Sequence, residues 1–216
     1  MTKQPPAAEL PTRRQAASEQ RRRAILDAGL DVFATQGFAA ARLEDVAAKA
    51  GVAKGTIYLF FKDKEDLFEQ IVRGAVEPLL ALLDRVVVEP DIPAHVLLPR
   101  IFAVFQTEVL GTQRKEIARL VINEGARFPR IAEFYHREVI AKVKAVIEMA
   151  MVRAHSRGEL ASEGLAKFPQ LVMAPMLLAL VWDGLFAKID PLDVEGLLAT
   201  HREILLGGAN PARTAP

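Results

Sequence analysis

Apolar positions recur with a period near 3.6 residues from about residue 18 to residue 206, and few segments show the strict alternation of a half-buried strand. The pattern predicts an all-α fold. In the first helix Ile25, Ala28, Gly29, Val32 and Phe33 follow the i, i+3, i+4, i+7, i+8 spacing of one buried stripe, and Gly37 stands where a left-handed C-terminal cap is wanted. Two short helices, Leu43 to Ala50 and Lys54 to Phe61, come next. A longer one follows from about Lys64 to Val87, in which Pro78 lacks a backbone donor and predicts a kink. Beyond the loop Glu89 to Pro93, helices are expected over about 94–109, 113–127, 130–156, 167–187 and 191–206. Pro129, Gly158, Gly164, Pro169 and Pro191 punctuate them near their ends.

The stretch LEDVAAKAGVAKGTIYLFF, Leu43 to Phe61, meets three demands of a tight helix-turn-helix together. Ala47 is small where two helices cross closely, Gly51 sits at the turn where a positive φ suits glycine, and Ile57 plugs the angle between the helices. Val46, Ala50, Val52 and Phe60 complete an apolar inner face. The outward positions are then Ala53, Lys54, Gly55, Thr56, Tyr58 and Leu59. They form a small helix end carrying a cation, a hydroxyl and an aromatic, the groups that read a DNA groove and its phosphates.

Here the chain resembles the tetracycline-repressor (TetR) family, through AILDAGLDVFATQGF and LEDVAAKAGVAKGTIYLFFKDKEDLF over about residues 20–70. EGARFPRIAEFY, Glu124 to Tyr135, resembles the subset with an AefR-like C-terminal domain. The resemblance implies a regulator, most simply a repressor, bound to double-stranded operator DNA. It also implies that Lys54 and Thr56 contact phosphates and base edges, that Tyr58 contacts phosphate or a thymine methyl, and that Lys64 holds the flanking phosphate at a helix N-terminus. Gly55 and Lys62 belong to the same surface. Arg42 stands where many relatives place a hydroxyl cap, so its guanidinium is expected on a phosphate. Leu59 replaces a frequent histidine and removes one polar contact. The expected organisation is a disordered tail over 1–17, a DNA-binding domain over 18–63, an effector-binding and dimerisation domain over 64–207, and a flexible tail over 208–216.

A palindromic operator needs a two-fold dimer with recognition helices about 34–36 Å apart. The final two helices are the expected interface, because Phe168 to Lys188 is apolar nearly all round. A small hydrophobic or amphipathic effector is expected in a cavity formed by Phe102, Phe105, Gln106, Asn123, Phe128, Met149, Met176, Trp182, Asp183 and Phe186, with Gln106, Asn123 and Asp183 as its polar groups. The effector would favour a conformation whose recognition helices are wrongly spaced, with the helix carrying Pro78 as the lever. The rival reading is a helical ligand-binding or protein-interaction module that no longer reads DNA. Activation rather than repression remains open, since the same contacts serve either.

Composition narrows the classes further. The 216 residues contain no cysteine, which excludes disulfides and thiolate chemistry and suits the cytoplasm. The N-terminus lacks the apolar stretch of a secretion signal, and the run Leu171 to Trp182 falls short of the ~18–20 residues that a membrane crossing needs, so no membrane partner is expected. Net charge is only +1, yet residues 1–62 hold ten Lys or Arg against six acids, which places any phosphate-facing surface at that end. His95, His136, His155 and His201 are scattered, and Glu133 with His136 forms the single Glu-x-x-His pair, where a di-iron bundle uses two. No serine nucleophile motif or glycine-rich phosphate loop occurs. No enzyme activity, cofactor or metal is expected.

Overall fold

The computed structural model describes residues 13–87, 89 and 91–207, and no strand occurs among them. The chain divides into two compact units, up to Ile71 and from Val72 onward. The boundary lies inside a helix rather than at residue 64, because that helix's first turns supply Leu67, Phe68 and Ile71 to the first core. The tail expected over 208–216 lies outside the described residues, as do residues 1–12; residues 13–17 are helical, not disordered.

The first unit comprises α1 (Arg13–Ala40), α2 (Leu43–Lys49), α3 (Lys54–Ile57) and the first two turns of α4 (Lys64–Val87). The expected stripe of α1 is buried, and a Cβ on Gly29 would lie 3.0 Å from the Leu67 side chain, so the two helices approach closely there. Gly37 does not end α1 as a left-handed cap. Its φ of 76° and ψ of 162° bend the helix, which resumes and turns Phe38 inward. The rings of Phe33, Phe38 and Phe68 then cluster with centroids 5.3, 6.0 and 6.4 Å apart. All three are buried, each such ring stabilising the unit by roughly 1.5–3 kcal/mol over exposure.

The second unit holds the rest of α4, α5 (Ala94–Val104) with a π-helical extension Phe105–Leu110, α6 (Arg114–Glu124), and α7 (Pro129–Tyr135) with a second π-helical segment His136–Ile140. It continues through α8 (Ala141–Ser156), α9 (Gly164–Lys167), α10 (Gln170–Leu185) and α11 (Val194–Leu206). Leu98, Ile101, Phe102, Ile147, Met151, Val172, Ala179, Leu198 and Leu205 form its main core. Asp193 caps α11 by accepting from the Gly196 amide, and Gly207 closes it in the left-handed conformation.

Three helices carry interior prolines, Pro78 in α4, Pro99 in α5 and Pro175 in α10, and at the last a neighbouring side chain supplies the missing donor. Pro175 deprives the Leu171 carbonyl of α10 of its helical N–H, and Nε2 of His201 on α11 lies 2.9 Å from that oxygen. The imidazole must carry its proton on Nε2 to donate there. Burial holds His201 below the ordinary histidine pKa, only partly opposed by this bond. Since the folded state resists the second proton, this contribution to stability is complete above the unfolded histidine pKa and falls away as pH drops through the lower folded value. Thermal unfolding between pH 7 and pH 5 should therefore lose more stability in the wild type than in His201→Gln, which keeps a donor but cannot titrate.

Candidate nucleic-acid interface and cavity

The helix-turn-helix forms as its interior residues dictate. Val46, Ala47 and Ile57 are essentially inaccessible, and Gly51 takes a φ of +67° at the turn. Phe61 is buried, while Ala50, Val52 and Phe60 are half-buried. The helix after the turn is shorter than the spacing suggests: α3 ends at Ile57, and Tyr58 to Phe60 form a turn. That one turn of helix, set on a fixed scaffold, displays Lys54, Gly55, Tyr58 and Leu59 outward, with Thr56 half-buried at their base. Leu59 is 82% exposed and Tyr58 49% exposed, so neither is core. A Cβ on Gly55 would meet nothing within 4 Å, which leaves the backbone open to close approach.

Glu44, missed by the sequence reading, organises this face from the first turn of α2. Its carboxylate takes the Lys54 ammonium at 2.9 Å and the Tyr58 hydroxyl at 3.2 Å. The hydrogen bond from Lys54 holds the Glu44 pKa below the usual carboxylate range, and the same bond raises that of Lys54. An acid in the first turn of α2 is the available signal, but a charge complementing a helix N-terminus reads the same way.

Arg42 is exposed at the start of α2 with no side-chain cap, and Lys62 is exposed before α4. Lys64 departs from expectation. Its ammonium donates to the carbonyls of Phe38 and Ala39 at 2.7 and 3.0 Å and lies over the Phe38 ring, so it clamps the end of α1. The start of α4 is itself capped: Asp63 accepts from the Asp66 amide, and Asp66 from the Lys62 amide. Carboxylates therefore occupy the place expected for a phosphate at that helix end.

The second unit encloses a cavity of about 380 Å³ between α4, α5, α6, α8 and α10, with both π-helical segments in its wall. Leu79, Leu83, Val104, Ile147, Met176 and Leu180 supply apolar lining, and Arg114, Tyr135, His136, Lys144 and Gln170 the polar groups. Protein packed around the Tyr135 phenol pushes its pKa up to about 12, so it is a hydrogen-bond donor at neutral pH.

Of the ten residues expected around this space, Phe105 and Met176 line it and eight do not. Phe102 is buried against His201, Gln106 is half-buried elsewhere, and Asn123 and Met149 are exposed. Phe128 meets Arg127, and Trp182 donates to the Asp190 carbonyl beside Phe186. Asp183 is committed to ion pairs with Arg119 and with Lys115, the latter at 3.1 Å, tying α10 to α6.

Exposed apolar side chains fall partly on the helix pair expected at the interface. Leu171, Leu178 and Leu185 of α10 lie at i, i+7 and i+14 on one face, and Met149 and Val152 of α8 are similarly bare. On α11, by contrast, Leu198 and Leu205 turn inward and Ile204 is the large apolar residue left exposed. The bare apolar surface thus lies on α8 and on α10, the first of the last two helices, with Ile204 adding to it from α11.

Residues 25–71 match the family model for bacterial regulatory proteins of the tetR family. The chain is 32% identical over 176 residues to the HTH-type transcriptional repressor BepR of Brucella suis biovar 1 (strain 1330), covering 78% of this chain and 80% of that protein. It is 28% identical over 194 residues to the uncharacterized HTH-type transcriptional regulator YhgD of Bacillus subtilis (strain 168), covering 85% and 95%. The transcriptional regulator FadR from Bacillus subtilis, solved in complex with stearoyl-CoA, shares the fold with a TM-score of 0.70 at 20% identity, over 87% of this chain and 99% of that one. These likenesses and the helix-turn-helix define a transcriptional regulator rather than an enzyme. The chain belongs to the tetR family of bacterial regulatory proteins.

Proposed function

We propose that this regulator is a cytoplasmic homodimeric repressor that binds a palindromic operator through α3 and is released by a small hydrophobic or amphipathic effector held in the second unit's cavity. The observation that carries the DNA reading is the exposed cluster Lys54, Gly55, Tyr58 and Leu59, raised on a buried scaffold that needs none of them for packing. Lys54 and Tyr58 serve phosphates, Gly55 admits the backbone, and Leu59 and the Thr56 methyl meet thymine methyls. Arg42 and Lys62 add phosphate contacts at the edges, while Lys64 acts by holding α1 against α4. Glu44 orders Lys54 and Tyr58 before DNA arrives.

The effector reading rests on an apolar space within the size range of small-molecule sites, and the dimer reading on the bare faces of α8 and α10. A gel shift with the intergenic region beside the protein's own gene, at stated salt, tests the whole. A sequence-selective shift is expected, and its absence would favour a helical module that no longer reads DNA. Lys54→Ala should weaken binding about tenfold on every sequence and reduce the salt slope by about one. Tyr58→Ala should weaken it by a similar factor. Neither should alter unfolding, since both side chains are exposed; normal binding by both variants would overturn the assigned face.

A further inference from the structure

The polar lining of the cavity has one sign. Arg114 and Lys144 are cations, the Tyr135 phenol and the Gln170 amide add neutral donors beside the His136 imidazole, and among the described residues no aspartate or glutamate lines the space. Arg114 is the best placed. Its Nη1 donates to the backbone and carboxylate oxygens of Glu108, both at 2.9 Å, and its Nε donates to the Ala75 carbonyl of α4 at 2.8 Å. Its Nη2 makes no hydrogen bond to a described residue. A guanidinium fork with one arm unused beside an apolar chamber suits an oxyanion, since charge-assisted bonds form with little loss of freedom. Lys144 is paired more weakly, its ammonium 3.8 Å from Glu148. A cationic ligand would meet both charges with no carboxylate in the lining to receive it.

The partner of Nε matters as much. Pro78 lacks an N–H, so the Gly74 carbonyl has no helical donor, and the next carbonyl, Ala75, is the one Arg114 holds. The residue that faces the cavity therefore also grips α4 where its hydrogen-bond ladder is interrupted. Both π-helical segments in the wall, at Phe105–Leu110 and His136–Ile140, are helix defects of the kind found at ligand sites.

We propose that the cavity is a receptor for an amphiphile with an apolar chain and an anionic head, that Arg114 binds the head through its unused Nη2 arm, and that the same side chain passes the event to α4 through the Ala75 carbonyl. This rests on the reading of the cavity as the effector site. Titration calorimetry of the full chain with decanoate, decanol and decyltrimethylammonium separates the two. Decanoate should bind at least tenfold more tightly than decanol, with the quaternary amine weakest. Arg114→Gln should lower decanoate binding at least severalfold more than decanol binding, so that most of the preference for the acid is lost. Equal binding of acid and alcohol by the wild type would overturn the anionic preference and leave the cavity standing as an apolar effector site. Binding of none of the three would overturn both. For the relay, decanoate should release the wild type from its promoter fragment. Arg114→Lys, which keeps the charge but lacks the planar fork, should bind decanoate yet release several-fold less; full release would refute the relay through Ala75.

Discussion

Phe68→Ala should destabilise the DNA-binding unit by about 3–5 kcal/mol and abolish operator binding at growth temperature. Phe68 comes from the second turn of α4 and meets Phe33 and Phe38 from either side of the bend at Gly37. Truncation leaves two rings with no edge partner and opens a cavity that Leu67 and Ile71 cannot fill without releasing Gly29. The loss is large relative to the roughly 5–15 kcal/mol that stabilises an ordinary domain. Because the second unit has its own core, urea unfolding followed by far-UV circular dichroism should show an early transition for the first unit alone. Leu59→Ala is the matched comparison: also a large-to-small change, but at an exposed position, so stability should move by less than about 0.5 kcal/mol while DNA affinity falls. An unchanged unfolding curve for Phe68→Ala would mean that the aromatic cluster does not hold α4 to α1.

The interior of the helix-turn-helix was readable in the sequence because each of its demands is local. Ala47, Gly51 and Ile57 answer to one helix crossing and one turn, and all three have the burial or dihedral that the spacing predicts. The limits of α4, Lys64 to Val87, follow equally from its own periodicity. The cavity was not readable in that way. A 3.6-residue pattern shows that Phe102 and Trp182 lie on apolar faces but not which neighbouring helix each face meets; Phe102 packs against α11, and Trp182 reaches the loop after α10. Asp183 looked like a polar group in an apolar wall because its partners, Arg119 and Lys115, lie more than sixty residues away in sequence. Lys64 shows the same limit. The sequence places it at a helix N-terminus, where a phosphate contact is plausible, but cannot show that two free carbonyls at the end of α1 lie within reach. The π-helical segments, which bring Phe105 and Val139 to the cavity, carry no composition signal of their own. The same ambiguity of facing applies to α11, which is as amphipathic in sequence as an interface helix but turns Leu198 and Leu205 to the core.

Leu178→Arg should convert the dimer to monomers and thereby remove operator binding, although no DNA contact is touched. Leu178 is the middle of three leucines spaced by seven along α10, and it is 44% exposed. It does not line the cavity, so the substitution leaves that space intact. A two-fold interface uses the same patch on both copies, so each substitution enters twice, and residues near the axis bring like charges together. Two guanidinium groups would then lose water with no carboxylate on the bare α10 stripe to receive them, and a buried unpaired charge costs several kcal/mol. The dissociation constant of the dimer should rise by at least a thousandfold, read as a shift to monomer mass in sedimentation at micromolar protein. Far-UV circular dichroism should stay as in the wild type, because the side chain already faces outward in the single chain. His201→Gln, whose imidazole meets the Leu171 carbonyl within the chain, should leave the dimer intact and separates loss of association from loss of the α10–α11 lock. A monomeric Leu178→Arg that still shifted a palindromic fragment with wild-type affinity would remove the dimer from the mechanism. A Leu178→Arg that remained dimeric would move the interface off α10 altogether.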